Sequence, residues 1–132
     1  MQHPSHAAAD IASGVAALVA GRDPQRLARA LTETARLRAL LPGGPIEIHG
    51  RNAVAAGLHG LFVGFDTVTV AESTGETVAD RLLIHYRLHV ARGATRWVCT
   101  QIAVCKLVAG RLAVIDLLCS GFREVLDEHV AA

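Results

Sequence analysis

The stretch Arg81–Cys119, RLLIHYRLHVARGATRWVCTQIAVCKLVAGRLAVIDLLC, decides the fold. Leu82, Ile84, Tyr86, Leu88 and Val90 alternate with Leu83, His85, Arg87 and His89, which is the two-residue period of a half-buried strand. Two further β-rich runs follow, TRWVCTQIAVCKLV and RLAVIDLLCSGF, joined through the short breaks ARGA and AG. Links that short permit only antiparallel neighbours, so the three runs form a meander. Upstream, after Phe65, TVTVAES supplies another β-rich run.

The turns set the register. With Ala109–Gly110 as a two-residue hairpin, Val108 faces Arg111, and Asp116 falls opposite Ala103 with Gln101 and Cys105 as diagonal neighbours. With Ala91–Ala94 as a four-residue loop, Ile84 pairs with Gln101, Tyr86 with Cys99 and Leu88 with Trp97. One face then carries Leu82, Ile84, Tyr86, Leu88, Trp97, Cys99, Gln101, Ala103, Val114, Asp116 and Leu118. The other carries His85, Arg87, His89, Arg96, Thr100 and Lys106 towards one end. Elsewhere it holds Val98, Ile102, Val104, Ile115, Leu117 and Cys119. That is too apolar for a face left to water, and the simplest cover is a second copy in a homodimer joined through this outer sheet face. A single bulge would reverse part of a strand and carry Asp116 to the opposite side.

Before the strands the period is helical. Ile11, Val15 and Leu18 predict a helix over about Ala7–Ala20. Asp23 can cap a second helix with Pro24 at its first position, its buried stripe being Leu27, Leu31 and Ala35, and LPGGP ends it. IEIHG reads as a short strand, and Arg51 to about Phe62 as a third helix with Val54, Leu58 and Leu61 on one side. Helices first and long strands after give an α+β domain, helices packed on one face of a curved antiparallel sheet. The 132 residues suit a single domain, with about six disordered residues at its start.

Composition narrows the function classes. A hydrophobic content of 52% supplies a core, and with only 4% aromatics that core is built from Leu, Val, Ile and Ala. The net charge of +1 with no basic block speaks against a nucleic-acid partner. The apolar run AAADIASGVAALVAG is interrupted by Asp10 and followed by Arg22, so no membrane span or secretory start is expected. Three cysteines, an odd number, point to free thiols in a reducing cytoplasm.

The succession DPQRLARALTETARLRALLPGG, GRNAV opening a helix, VADRLLIHYRL, the strand of Trp97 and finally AGRLAVIDLLCSGF resembles the nuclear transport factor 2-like superfamily. That superfamily includes ketosteroid isomerases, limonene epoxide hydrolases and SnoaL-like polyketide cyclases. The resemblance runs from Ile11 to Phe122. It implies a cone-shaped, cystatin-like α+β fold, a curved sheet wrapped on helices around a deep pocket, usually in a homodimer. Catalytic residues carry over sparsely. The isomerases' aspartate base falls on Leu41. The hydrolases' arginine falls on Arg81 and their first aspartate on Leu83, and Asp116 lies near their last carboxylate.

Asp116 is therefore the candidate acid–base, its pKa raised by desolvation between Val114 and Leu118. Tyr86 could donate to a developing oxyanion and Gln101 could orient the acid or polarise a carbonyl. Leu82, Ile84, Leu88, Trp97, Cys99, Ala103, Val114 and Leu118 would line the substrate pocket. The structural alternatives are an Asp116 paired with Arg81, Arg111 or a backbone amide, and Tyr86 and Gln101 as satisfied core polar groups. His85 and His89 lie about 13 Å apart along their strand, too far to share an ion, and no metal or other cofactor is expected. His49 and His59 could approach the pocket mouth. Cys99 and Cys105 are about 20 Å apart by the same rise and Cys119 falls on the other face, so all three read as inert buried thiols.

Two functions follow. One is a cofactor-independent isomerase, cyclase or hydrolase acting on a hydrophobic small molecule that bears a carbonyl or epoxide. The other is a non-catalytic ligand-binding or protein-interaction module, favoured by Leu41 and Leu83 standing where the family's carboxylates would be.

Overall fold

The computed structural model describes residues 4–126. The alanine-rich start forms helix α1 (Pro4–Ala20), which stops where Gly21 N donates to Ala17 O at 2.8 Å and Arg22 turns to φ 59°. Residues 1–3 of the expected disordered start lie outside the described residues. The buried stripe of α1 is Ala8, Ala12, Ala16 and Val19, whereas Ile11 of the expected stripe is 37% exposed. Small side chains win because the helix lies very close to the sheet. A Cβ placed on Gly75 would stand 2.3 Å from Ala8 O and 2.7 Å from the Ala12 Cβ.

Asp23 caps α2 (Pro24–Arg29) as expected, its Oδ1 accepting from Gln25 N at 3.1 Å and Arg26 N at 3.2 Å. The helix does not run on to Ala35. It ends after six residues, and Leu31 opens strand β1 (Leu31–Leu41), followed by β2 (Gly44–His49), α3 (Arg51–Gly60), β3 (Thr67–Val78), β4 (Arg81–Arg92), β5 (Thr95–Val108), β6 (Arg111–Cys119) and β7 (Arg123–Glu124). Leu31, Ala35, Leu37 and Ala39 all point into the core from β1.

The strands make one seven-stranded sheet, ordered β2-β1-β6-β5-β4-β3, with β7 pairing the start of β5. The sheet is curved and mixed, not purely antiparallel, because β1 runs parallel to β6. Val54, Ala55, Leu58 and Phe62, from α3 and the turn after it, bury against it together with Leu31, Leu37, Ile84, Leu88 and Val90. Among the described residues no helix is long and apolar enough to cross a membrane.

Both hairpin registers differ from expectation, with opposite consequences. The β5–β6 turn is the expected one: Val108 faces Arg111, and Ala109 (φ 53°) and Gly110 (φ 78°) both take the left-handed backbone of a type I′ turn. The pairing then slips by one residue between Lys106 and Leu107, the bulge falling at Ala113, so Asp116 faces Val104 and Cys119 faces Gln101. At the β4–β5 turn, Arg92 pairs with Thr95, closing two residues tighter than expected. Ile84 therefore faces Ala103, Tyr86 faces Gln101, Leu88 faces Cys99 and Val90 faces Trp97. A shift of two leaves every side chain on its expected face.

Candidate functional site

The bulge at Ala113 exchanges the chemistry on the two faces of β6. Asp116 points outward, its carboxylate 39% exposed, and accepts from Arg38 Nε at 2.9 Å. Its partner is neither Arg81, which pairs with Asp80 at 2.8 Å, nor Arg111. The expected acid–base role needs a dry, unpaired carboxyl, and this one has both water and a guanidinium. Val114 and Leu118 leave the expected pocket with it, Leu118 being 53% exposed. Leu82, Ile84, Leu88, Cys99 and Ala103 do face inward, but as buried members of the one hydrophobic cluster that contains Phe62, Leu58 and Val54. Where a hollow was expected, the chain's own side chains pack. Trp97 sits at the edge of that core, its ring 5.4 Å from Phe65, with the Arg92 guanidinium 5.5 Å above it.

Two of the three residues expected to do chemistry do come together inside. Tyr86 Oη donates to Gln101 Oε1 at 2.5 Å, and Gln101 is the only amide or charged side chain that is fully buried among the described residues. Gln101 Nε2 in turn donates to Cys119 Sγ at 3.3 Å, and Cys119 Sγ lies 3.7 Å from Cys99 Sγ. The polar chain Tyr86–Gln101–Cys119–Cys99 thus crosses from β4 through β5 to β6. Each link satisfies a group whose burial would otherwise be costly.

This chain sorts the three thiols. The hydrogen bond shared with Cys99, with the Gln101 amide donor and the Gly121 backbone adding to it, outweighs burial and lowers the Cys119 pKa to about 6. Cys99, coupled to it, moves the other way, raised by its bond to Cys119 and by burial. Burial, with the charge of Asp116 adding to it, pushes the Cys105 thiol up to about 12. Burial also raises the Tyr86 phenol, which stays a protonated donor. Cys119 is the functional candidate that sequence reasoning missed. The unbulged register places it on the outer face, and no residue type in LAVIDLLC marks where a bulge falls.

Among the described residues the histidines form no cluster. His49 Nε2 lies 2.7 Å from Glu47 Oε2 at an exposed sheet edge, and His59 stands in α3 with a buried Nδ1. Among the described residues no group of three or more His, Cys, Asp or Glu side chains is placed to hold a metal. Surface depressions flank the sheet. A broad groove of about 610 Å³ runs past Arg38, Leu40, Pro45, Glu47 and Asp116. A second cavity, of about 380 Å³, lies among Thr67, Thr69, His89, Trp97, Val98 and Val125.

Helices packed on a long, curved sheet of this kind are found in solved structures. The chain has the nuclear transport factor 2-like fold. It is similar to a hypothetical protein with a ketosteroid isomerase-like fold from Catenulispora acidiphila DSM 44928, solved in complex with trimethylamine. The two are 12% identical over 81% of this chain and 82% of that one, with a TM-score of 0.65. An NTF2-like protein of unknown function from Mesorhizobium loti is 18% identical over 92% of this chain and 97% of that one, with a TM-score of 0.61. A steroid delta-isomerase from Pseudomonas aeruginosa is 19% identical over 83% of this chain and 82% of that one, with a TM-score of 0.55. No family model and no curated protein matches the sequence. The likeness is one of fold.

Proposed function

We propose that this chain is a non-catalytic interaction module that pairs with a second copy of itself through the outer face of the sheet. The observation that carries this reading is the exposed apolar band on that face. Leu118 is the cross-strand partner of both Leu40 and Ile102, Val104 lies beside it, and all four are exposed. Such a contiguous band on a sheet calls for a cover. Arg38 and Asp116 stand in the same face, so it presents both charge signs and is complementary to itself under a two-fold axis. The acid–base enzyme reading loses its support once Asp116 belongs to this surface. The three free thiols suit a reducing compartment, consistent with the cytoplasm.

The test is the molar mass in solution by light scattering, with far-UV circular dichroism alongside. The natural sequence should run as a dimer, and Leu118→Arg should run as a monomer with an unchanged spectrum. A natural sequence that stays monomeric across the accessible concentration range, or a Leu118→Arg variant that stays dimeric, refutes the proposal.

A second reading rests on the cavity of about 380 Å³, a size that accommodates a small organic molecule. Its wall of Trp97, Val98 and Val125 suits an apolar body, and Thr67, Thr69 and His89 offer hydrogen bonds to a polar end. A hydrophobic compound bound there should raise the melting temperature of the natural sequence and not that of a cavity-filling Val98→Trp variant.

A further inference from the structure

We propose that Cys119 and Cys99 form a peroxide-responsive dithiol, with Cys119 as the attacking sulfur and Cys99 as the resolving one. The two sulfurs lie 3.7 Å apart on adjacent strands, and no other residue stands between them and a bond. A disulfide needs them about 1.7 Å closer, and because Cys99 lies diagonal to Cys119, two residues from its cross-strand partner Gln101, the end of β6 must shift towards β5 as the bond forms. The asymmetry of roles follows from the surroundings. Cys119 is the partly exposed member, at the end of β6, and it accepts from the Gln101 amide. Cys99 is fully buried behind it. Donors gathered on one sulfur stabilise its thiolate, and the thiolate is the nucleophile.

The chemistry balances with hydrogen peroxide as the oxidant. The Cys119 thiolate attacks one peroxide oxygen, an S–O bond forms, the O–O bond breaks and hydroxide leaves to take up a proton. The Cys99 sulfur then attacks the Cys119 sulfenic acid, the S–S bond forms, the S–O bond breaks and water departs with the Cys99 proton. Two thiols and one peroxide give one disulfide and two waters. Cys105, whose side chain faces the core further along β5, takes no part. The dithiol lies on the inner side of the sheet, so its chemistry is independent of the pairing proposed for the outer face.

The experiment uses the reduced full chain, treated with hydrogen peroxide near neutral pH, quenched, alkylated and mapped by mass spectrometry after trypsin. The expected product links peptide Trp97–Lys106 to peptide Leu112–Arg123, with the loss of two hydrogens, and forms equally in a Cys105→Ala variant. Oxidation of Cys105 should be at least about a hundredfold slower. In Cys99→Ser, a sulfenic acid at Cys119 should accumulate and be trapped by dimedone. A link through Cys105, oxidation of Cys119 beyond the sulfenic acid with no link in the natural sequence, or a Cys119 still reduced when added glutathione is fully oxidised, would each overturn the proposal.

Discussion

Replacing Tyr86 with Phe removes one hydroxyl and strands the Oε1 of Gln101, a side chain with no exposure to solvent. Replacing Gln101 with Met keeps the length of the side chain and strands the Tyr86 hydroxyl instead. Each single change leaves one buried polar group without its partner, at a cost of about 1–3 kcal/mol. Replacing both removes the whole polar pair and leaves an aromatic ring against a thioether, a contact the core accepts. The double variant should therefore be no less stable than the worse single one, with a coupling of about 1–2 kcal/mol. In a chain of this size that separates melting temperatures by about 3–6 °C per kcal/mol.

The measurement is urea unfolding followed by fluorescence of the sole tryptophan, Trp97, at fixed protein concentration. The pH must be chosen, because Gln101 also serves Cys119. The folded pKa of Cys119 is lowered from its ordinary value to about 6. Its contribution to stability is therefore complete above the unfolded pKa and lost as pH falls through about 6. At about pH 5 the thiol is neutral in both states and the cycle isolates the tyrosine–glutamine pair. At about pH 8 Gln101→Met should lose additional stability, because the thiolate loses a donor, whereas Tyr86→Phe should not. A double variant whose loss at the lower pH equals the sum of the two singles would refute the account of this pair as mutually dependent.

Gly75→Ala should destabilise the fold by about 1–3 kcal/mol, since the new methyl meets the backbone oxygen of Ala8 and the Cβ of Ala12 and the helix must lift. An unchanged thermal unfolding curve by circular dichroism would mean that α1 is not seated there. Asp116→Asn should change stability by less than about 1 kcal/mol, because the pair with Arg38 is exposed on both sides. A loss of several kcal/mol in denaturant titration would instead place the carboxylate in the interior.

The parts of the fold that could be read from the sequence were those in which one local rule had no competitor. Asp23 followed by Pro24 starts a helix by capping and by φ restriction alone, and α2 starts there. The end of that helix was decided elsewhere. Leu31 and Ala35 are four apart, a spacing that suits a helix and, being even, suits one face of a strand as well. Leu37 and Ala39 extend the even series, yet the Ala, Arg, Leu and Glu content of the segment has high helix propensity. Pairing with β2 on one side and β6 on the other satisfies β1's backbone along most of its length, and that tertiary gain overrides the local preference. The stripe of α1 is shifted for a related reason. Val15 and Leu18 pack at the margin of the core while Ile11 turns to water, because the face that packs most closely is chosen by how near the helix must come to Gly75, a position 57 residues or more away from all three in the chain.

The candidate site divides along a question of parity. Side chains alternate along a strand, so an error of two residues in a register changes neighbours but not faces, and an error of one changes the face of everything beyond it. The β4–β5 register was off by two. Tyr86 and Gln101 therefore stayed inward, and the correction merely set them opposite each other, where they bond. The β5–β6 register was off by one, through a bulge that no turn residue announces. Asp116 went out to Arg38 and water, and Cys119 came in to Gln101 and Cys99. The same slip that removes a carboxylate from the interior thus brings a thiol there.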